Sequence, residues 1–277
     1  MAEIFVKEHG FSIQHSCRLA CLSRTAWYRP PVNRMERDRE VIDALSTMVE
    51  SKPRWGFWKC YDRLRLDGQS WNHKRVHRVY CAMNLNLPRR TKRRLANRPH
   101  QPLAAPDRLN DIWALDFMAD ALYCGRPFRT LNVIDEGNRE ALGVEIATSI
   151  PARRVIRVLE ELIELYGKPR AIRLDNGSEL TSIAFTEWCL EKGIEPMFIH
   201  PGKPDQNAYI ERFNRTFRHE VLDAYVFENL DQVRDIVDTW LREYNEERPH
   251  DSLGRVPPLM FLPRPPQPRE SGIRLCP

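Results

Sequence analysis

Residues 111–147 read DIWALDFMADALYCGRPFRTLNVIDEGNREALGVEIA. Three runs within it, Asp111–Met118, Pro127–Asp135 and Ala141–Ala147, each read as a strand bounded by short connections. The period then changes. Pro151 opens an amphipathic helix with Val155, Val158, Leu159, Leu162 and Tyr166 along one face, and Gly167 ends it. Ala171–Leu174 is a short strand running into Asp175-Asn176-Gly177. A helix is predicted over about 181–192, a strand over 194–199, and a helix from about Asp205 to Leu222 after the Pro-Gly-Lys-Pro loop. A last helix, about 230–245, turns Leu230, Val233, Val237, Trp240, Leu241 and Tyr244 inward. Three meandering strands followed by alternating helices and strands predict an α/β fold, a mixed sheet with helices on both faces.

The segments upstream have a different texture. Residues 12–29 look like a short helix, a turn and a second helix start, with Ala20, Leu22 and Trp27 as a small apolar face. Residues 34–50 form a mixed-charge helix with Val41, Leu45, Met48 and Val49 at helical spacing. Asn72 is placed to cap a helix carrying Val76, Val79 and Tyr80 inward and Lys74, Arg75 and Arg78 outward, which is how a DNA-recognition helix looks. A generic basic surface helix has the same composition. Pro99, Pro102 and Pro106 mark a linker. Seven prolines in the 22 residues from Val256 predict an extended tail. The resulting division is 1–32, 33–88, 89–109, 110–250 and 251–277.

The net charge of +5 conceals an asymmetry. Residues 1–109 hold 22 Lys and Arg against 10 Asp and Glu, whereas 110–277 hold 21 against 28. A basic part joined to an acidic part implies a polyanion-binding module attached to something else. The densest run holds Arg89, Arg90, Lys92, Arg93, Arg94 and Arg98, and reads as a phosphate-contacting arm or as a solvated linker. No run approaches eighteen apolar residues, so no membrane-spanning helix is expected. MAEIFVKEHGFS lacks the pattern of a secretory signal. Seven scattered cysteines are a poor disulfide framework and read as reduced thiols in a cytoplasm. His9, His15, Cys17 and Cys21 do not have zinc-finger spacing.

Two carboxylates stand at strand ends in apolar settings: Asp116 after Trp113-Ala114-Leu115, and Asp175 after Ile172-Arg173-Leu174. A carboxylate there is costly unless paired or bound to a metal, and strand ends of α/β sheets host active sites. Glu211 lies beside a buried stripe of Ile210, Phe213, Phe217 and Val221, in line with Asn207, Asn214, Arg215 and Arg218. Three converging carboxylates without a cysteine–histidine cluster suit Mg²⁺ or Mn²⁺. Two such ions clamp the attacking and leaving oxygens of a phosphodiester. Each acid alone has a blander reading, as a turn former or a solvated helix residue. His200, Lys203 and Asn214 read equally as polar loop or helix surface.

Thirty-five residues separate Asp175 from Glu211. With Asp116 upstream, this resembles the DD35E triad of retroviral integrases and related transposases. The blocks Trp113…Asp116-Phe117, Asp175-Asn176-Gly177-Ser178-Glu179 and Pro204–Asn214 resemble the same family. So does Tyr244-Asn245 followed by Arg248-Pro249-His250, Leu253-Gly254 and Pro257-Pro258. Together they resemble the integrase-core transposase of bacterial insertion sequences with two overlapping frames. The segment around Arg54–Tyr80 is similar to the helix-turn-helix-like domain that precedes that core.

The resemblance implies an RNase H-like five-stranded core behind a small all-α domain. It implies Asp116, Asp175 and Glu211 as catalytic residues and ligands of two Mg²⁺ or Mn²⁺ ions. Arg218 would contact DNA near the cut, with Arg215, Lys203, Gln206 and Asn207 beside it. The activity implied is cleavage of one strand at an element end, then direct attack of the new 3′-hydroxyl on a second phosphodiester. No covalent protein intermediate and no ATP are needed. The partners implied are element ends and target DNA, further copies of the chain on DNA, and an upstream-frame product. The setting implied is the bacterial nucleoid. A DNA-binding regulator or inactive fragment derived from such a transposase is the rival reading.

Overall fold

The computed structural model describes residues 1–29, 34–88, 106–199 and 204–264. The chain divides into two compact units, Met1–Thr47 and Met48–Pro277. The basic run 89–98, His200 and Lys203 lie outside the described residues.

The first unit is helical: α1 (Ala2–Lys7), α2 (Ile13–Leu19), α3 (Arg24–Tyr28), α4 (Arg34–Arg37) and most of α5 (Arg39–Ser51). Ser12 and Ser23 cap α2 and α3, their hydroxyls accepting from the amides of His15 and Ala26. The apolar face expected from Ala20, Leu22 and Trp27 is not the buried one. Ser16 and Cys17 are buried instead, and Leu22 is exposed. The reason is the end of α2. Cys21 takes a left-handed φ of 52°, and the amides of Leu22 and Cys21 bond the carbonyls of Cys17 and Arg18. That reversal takes Leu22 off the helical face. The helix expected over 34–50 is broken at Asp38 into α4 and α5.

In the second unit, α6 (Phe57–Leu66) and α7 (His73–Ala82) form the helix-turn-helix-like pair. Asn72 caps α7 as expected, its Oδ1 accepting from the Lys74 amide at 2.9 Å. Val76, Val79 and Tyr80 are buried, Lys74 and Arg78 are exposed, and Arg75 is half-buried.

The core is a five-stranded sheet of order β3-β2-β1-β4-β5: β1 Ile112–Ala121, β2 Pro127–Asp135, β3 Ala141–Ala147, β4 Ala171–Leu174 and β5 Glu195–Phe198. The first three strands are antiparallel, and β4 and β5 add in parallel on the other side of β1. Helices α8 (Ala152–Tyr166) and α9 (Ile183–Lys192) supply the cross-connections that parallel strands require. The period-2 alternation of β1 divides its side chains between two cores. Trp113 and Leu115 join Leu131, Val133, Val158, Leu162, Ile172 and Phe185 on the α8–α9 side. Ala114 joins Ile134, Val144 and Ile146 on the side of α10 (Ala208–Phe217) and α11 (Leu230–Glu246). The helix expected from Asp205 to Leu222 has three parts: a 3₁₀ turn at Pro204–Asn207, α10, and a π turn at Arg218–Leu222, where the Asp223 amide bonds the Arg218 carbonyl at 2.7 Å.

The tail is not extended through Arg264. His250 and Val256 form a β-bridge, and α12 (Pro258–Phe261) follows. Arg264 then returns to the core. Its Nη2 donates to Asp135 Oδ2 at 2.7 Å and its Nε to Glu140 Oε2 at 2.7 Å. Its Nη1 reaches Asn110 Oδ1 and the Tyr166 carbonyl. Two buried carboxylates recruit the cation and carry the proline-rich segment with it. No described helix is long and apolar enough to cross a membrane.

Candidate active site

Strand alternation decides which face the acids share. Asp116 follows Leu115 on β1 and so projects to the α10–α11 side. Asn132 is its register partner on β2 and shares that face. On the other flank β4 pairs Ile112 with Ala171 and Ala114 with Arg173. The same offset, continued two residues, sets Asp175 level with Asp116 just past the end of β4. Neighbouring strands lie about 4.8 Å apart. Glu211 sits in the first turn of α10, the helix that covers this face.

The hydrogen bonds around the acids are specific. Asp116 Oδ1 accepts from the Phe117 amide at 2.8 Å, and Oδ2 accepts from Asn214 Nδ2 at 2.7 Å. Asn214 Oδ1 in turn accepts from Asn132 Nδ2 at 2.6 Å. Asp175 Oδ1 accepts from the Gly177 amide at 3.1 Å, a turn that points the chain away from the sheet. Glu211 has no hydrogen-bond or ion-pair partner among the described residues. Burial first, and then the charges of Asp175 and Glu211, push the Asp116 carboxyl up to about 6. The bonds from Phe117 and Asn214 oppose that rise. Asp116 thus feels the charges of both other acids. Among the described residues no three His, Cys, Asp or Glu side chains are drawn close enough to enclose a metal ion. Uncompensated carboxylate oxygens are nevertheless the donor chemistry a hard divalent cation takes.

Two features were not legible in the sequence. Asn214, read as helix surface, is buried and links Asp116 to Asn132. Arg129 on β2 lies over the Phe117 ring at 4.4 Å and pairs with Glu179, tying down the loop that follows Asp175. Other expected contacts divide. Arg215 is exposed on α10. Arg218 turns back on its own fold, with Nη1 3.0 Å from Asp120 Oδ2 and Nη2 2.8 Å from the Ala119 carbonyl. Asn207 is buried with its Oδ1 unpartnered among the described residues, and Gln206 is half-buried.

A five-stranded mixed sheet of this order, flanked by helices and bearing acids on β1, after β4 and on the covering helix, defines the RNase H-like class. Comparison with known proteins agrees. Two integrase core domain families match residues 106–204 and 192–258, and an HTH-like domain family matches 34–93. An uncharacterized 39.2 kDa protein of insertion element IS476 from Xanthomonas euvesicatoria is 40% identical over 253 residues, covering 90% of this chain and 72% of the relative. An uncharacterized 31.7 kDa protein of insertion element IS407 from Burkholderia multivorans is 35% identical, covering 91% of each. A chain of the simian T-cell lymphotropic virus intasome in complex with PP2A regulatory subunit B56 gamma shares the fold, with a TM-score of 0.52, 16% identity and coverage of 80% of this chain and 78% of the other. The chain belongs to the integrase-core transposase family of bacterial insertion elements.

Proposed function

We propose that this chain catalyses metal-dependent DNA strand cleavage and strand transfer at insertion-sequence ends. The observation that carries the reading is the shared face of Asp116, Asp175 and Glu211, in a chain of this family. These three residues would hold two Mg²⁺ or Mn²⁺ ions. Bound there, the ions supply Lewis-acid stabilisation of charge developing on the phosphodiester oxygens.

The chain's own residues do the rest. Asn214 fixes the orientation of the Asp116 carboxylate and is itself fixed by Asn132. The Arg129–Glu179 pair steadies the loop after Asp175. Lys74, Arg75 and Arg78 on α7 would bind DNA, and Arg215 would approach the strand at the acids. The basic residues Arg89, Arg90, Lys92, Arg93 and Arg94, with Lys203, would add phosphate contacts, and Gln206 and Asn207 would shape the entry to α10. Arg218, as bonded to Asp120, acts first as a brace between the π turn and β1. Two ends must be processed together, so further copies of the chain would assemble on DNA, with an upstream-frame product as partner, at the bacterial nucleoid.

The test is cleavage and strand transfer on DNA carrying the element's own ends, with Mg²⁺ or Mn²⁺, for wild type and Glu211→Gln. Loss of products in the variant with DNA binding kept is the expected result. Full activity in Glu211→Gln refutes the assignment. Binding without cleavage in both, with and without the upstream-frame product, favours a DNA-binding regulator.

A further inference from the structure

Beside α10 lies a cavity of about 270 Å³, whose lining includes Lys59 of α6, Arg139 of the β2–β3 turn, Tyr209 and Arg212 of α10, and Arg248 and His250 after α11. Its cations outnumber its anions. Arg248 is matched: Nε and Nη2 clasp the Glu220 carboxylate at 2.8–3.1 Å. The other three are held more loosely. Lys59 Nζ stands 4.0 Å from that same occupied carboxylate. The Nε and Nη1 of Arg139 are enclosed without an acceptor, and its guanidinium lies 3.5 Å from the centre of the Tyr209 ring. The carboxylates whose charges reach it, Glu136 and Asp135, are each bonded to another arginine, Glu136 by the two-pronged fork of Arg173 and Asp135 by Arg264. Among the described residues the ion-pair partner of Arg212 is Asp251 at 3.9 Å, both of them exposed.

The titrating groups register the same excess. Burial lowers Lys59 to about 8, and Arg248 lowers it further than Glu220 restores. Burial lowers His250 to about 3, with Arg248, Lys59 and Arg212 all acting in the same direction. A pocket lined by four cations and one carboxylate, Asp251, favours an anion. Donors on several sides suit a tetrahedral phosphate better than a planar carboxylate. The volume accommodates a phosphate together with its sugar.

We propose that this cavity binds a backbone phosphate of the DNA strand that lies along α10, with Lys59, Arg139 and Arg212 as its cationic contacts. The proposal rests on the DNA-processing reading above. It adds a site formed jointly by α6 of the helix-turn-helix-like segment and α10 of the core. A strand gripped there is anchored one residue from Glu211, on the adjoining helix face.

The experiment is fluorescence anisotropy of a labelled element-end duplex titrated with the full chain at a series of salt concentrations. The proteins are wild type, Lys59→Gln, Arg212→Gln and, as control, Arg157→Gln on α8. Circular dichroism checks that each is folded. Each pocket variant is expected to bind about tenfold more weakly and to lower the slope of log affinity against log salt by about one. The control should change neither. An unchanged slope in both pocket variants overturns the proposal, whether or not affinity falls. If wild type fails to bind DNA, the DNA reading itself fails, and the pocket is judged with inorganic phosphate. Thermal stabilisation of wild type but not of the variants would then assign a free phosphate ligand. No stabilisation would overturn the site altogether.

Discussion

Arg264 is the strongest single test of how the core is held. Its side chain is 8% exposed, and it donates to Asp135, which is 0% exposed, and to Glu140, 4% exposed. Asp135 has other donors, the amides of Asn110 and Gly137, but no other cation among its bonds. Arg264→Met keeps much of the packing against the Tyr166 ring and removes the charge. Two buried carboxylates are left facing each other, and breaking a buried ion pair from one side costs about 3–5 kcal/mol. For a unit of this size that lowers the melting midpoint by roughly 6–20 °C. Differential scanning calorimetry at pH 7 reads it. Arg264→Lys should fall between, because an ammonium cannot reproduce the fork that spans Asp135 and Glu140. Adding Asp135→Asn and Glu140→Gln to Arg264→Met should recover most of the loss, because the uncompensated charge is then gone. A midpoint for Arg264→Met within about 2 °C of wild type would refute the account of the tail as an electrostatic strap.

Other expectations concern the site and its surroundings. Asn214→Ala strands Asp116 Oδ2 and Asn132 Nδ2, which should cost about 1–3 kcal/mol in urea denaturation. Cleavage should fall about 10- to 100-fold with DNA affinity retained, so unchanged cleavage would count against the positioning role. His250 is held well below the ordinary histidine value, at about 3. The unfolded chain therefore binds the proton first as pH falls from about 6.5 to 3, and stability should drop across that window by up to about 1.4 kcal/mol per pH unit. Denaturation curves of His250→Asn should show a shallower dependence, and an identical dependence would remove His250 from the explanation. Gly137→Ala would bring a Cβ within 2.3 Å of the Arg108 carbonyl oxygen, an overpacking worth about 1–3 kcal/mol. Gly125→Ala meets open space and only the strain of φ +82°, so it should cost about 1 kcal/mol by the same thermal assay.

Much of the fold was legible because its elements are locally periodic. Strands β1 to β4 are short, largely apolar runs bounded by turns, and helices α8 and α11 carry helical spacing; all form within a residue or two of the expected limits, apart from β1, which runs three residues further. The three carboxylates stand out as candidates because aspartates at apolar strand ends and a glutamate beside a buried stripe are costly choices. Asn214 was not legible, because its burial depends on the pairing of Asp116 with Asn132 and on how α10 lies over that pair. Neither is encoded near residue 214. The extended reading of the tail fails for the same reason, since a proline-rich composition says nothing of Arg264, whose partners lie 124 and 129 residues upstream. The π turn at Arg218 likewise goes with tertiary bonds, from the Arg218 side chain to Asp120 and the Ala119 carbonyl.

The strand order has a kinetic consequence. The β1–β2–β3 meander is built from neighbouring segments and closes short loops, whereas β4 must return past a whole helix to lie parallel to β1. The meander can therefore condense with Asp116 as its sole member of the acidic set, and Asp175 and Glu211 arrive only as β4 and then α10 dock. The nascent chain meets the mutual repulsion of its carboxylates last, when most of the apolar surface that must overcome it is already buried.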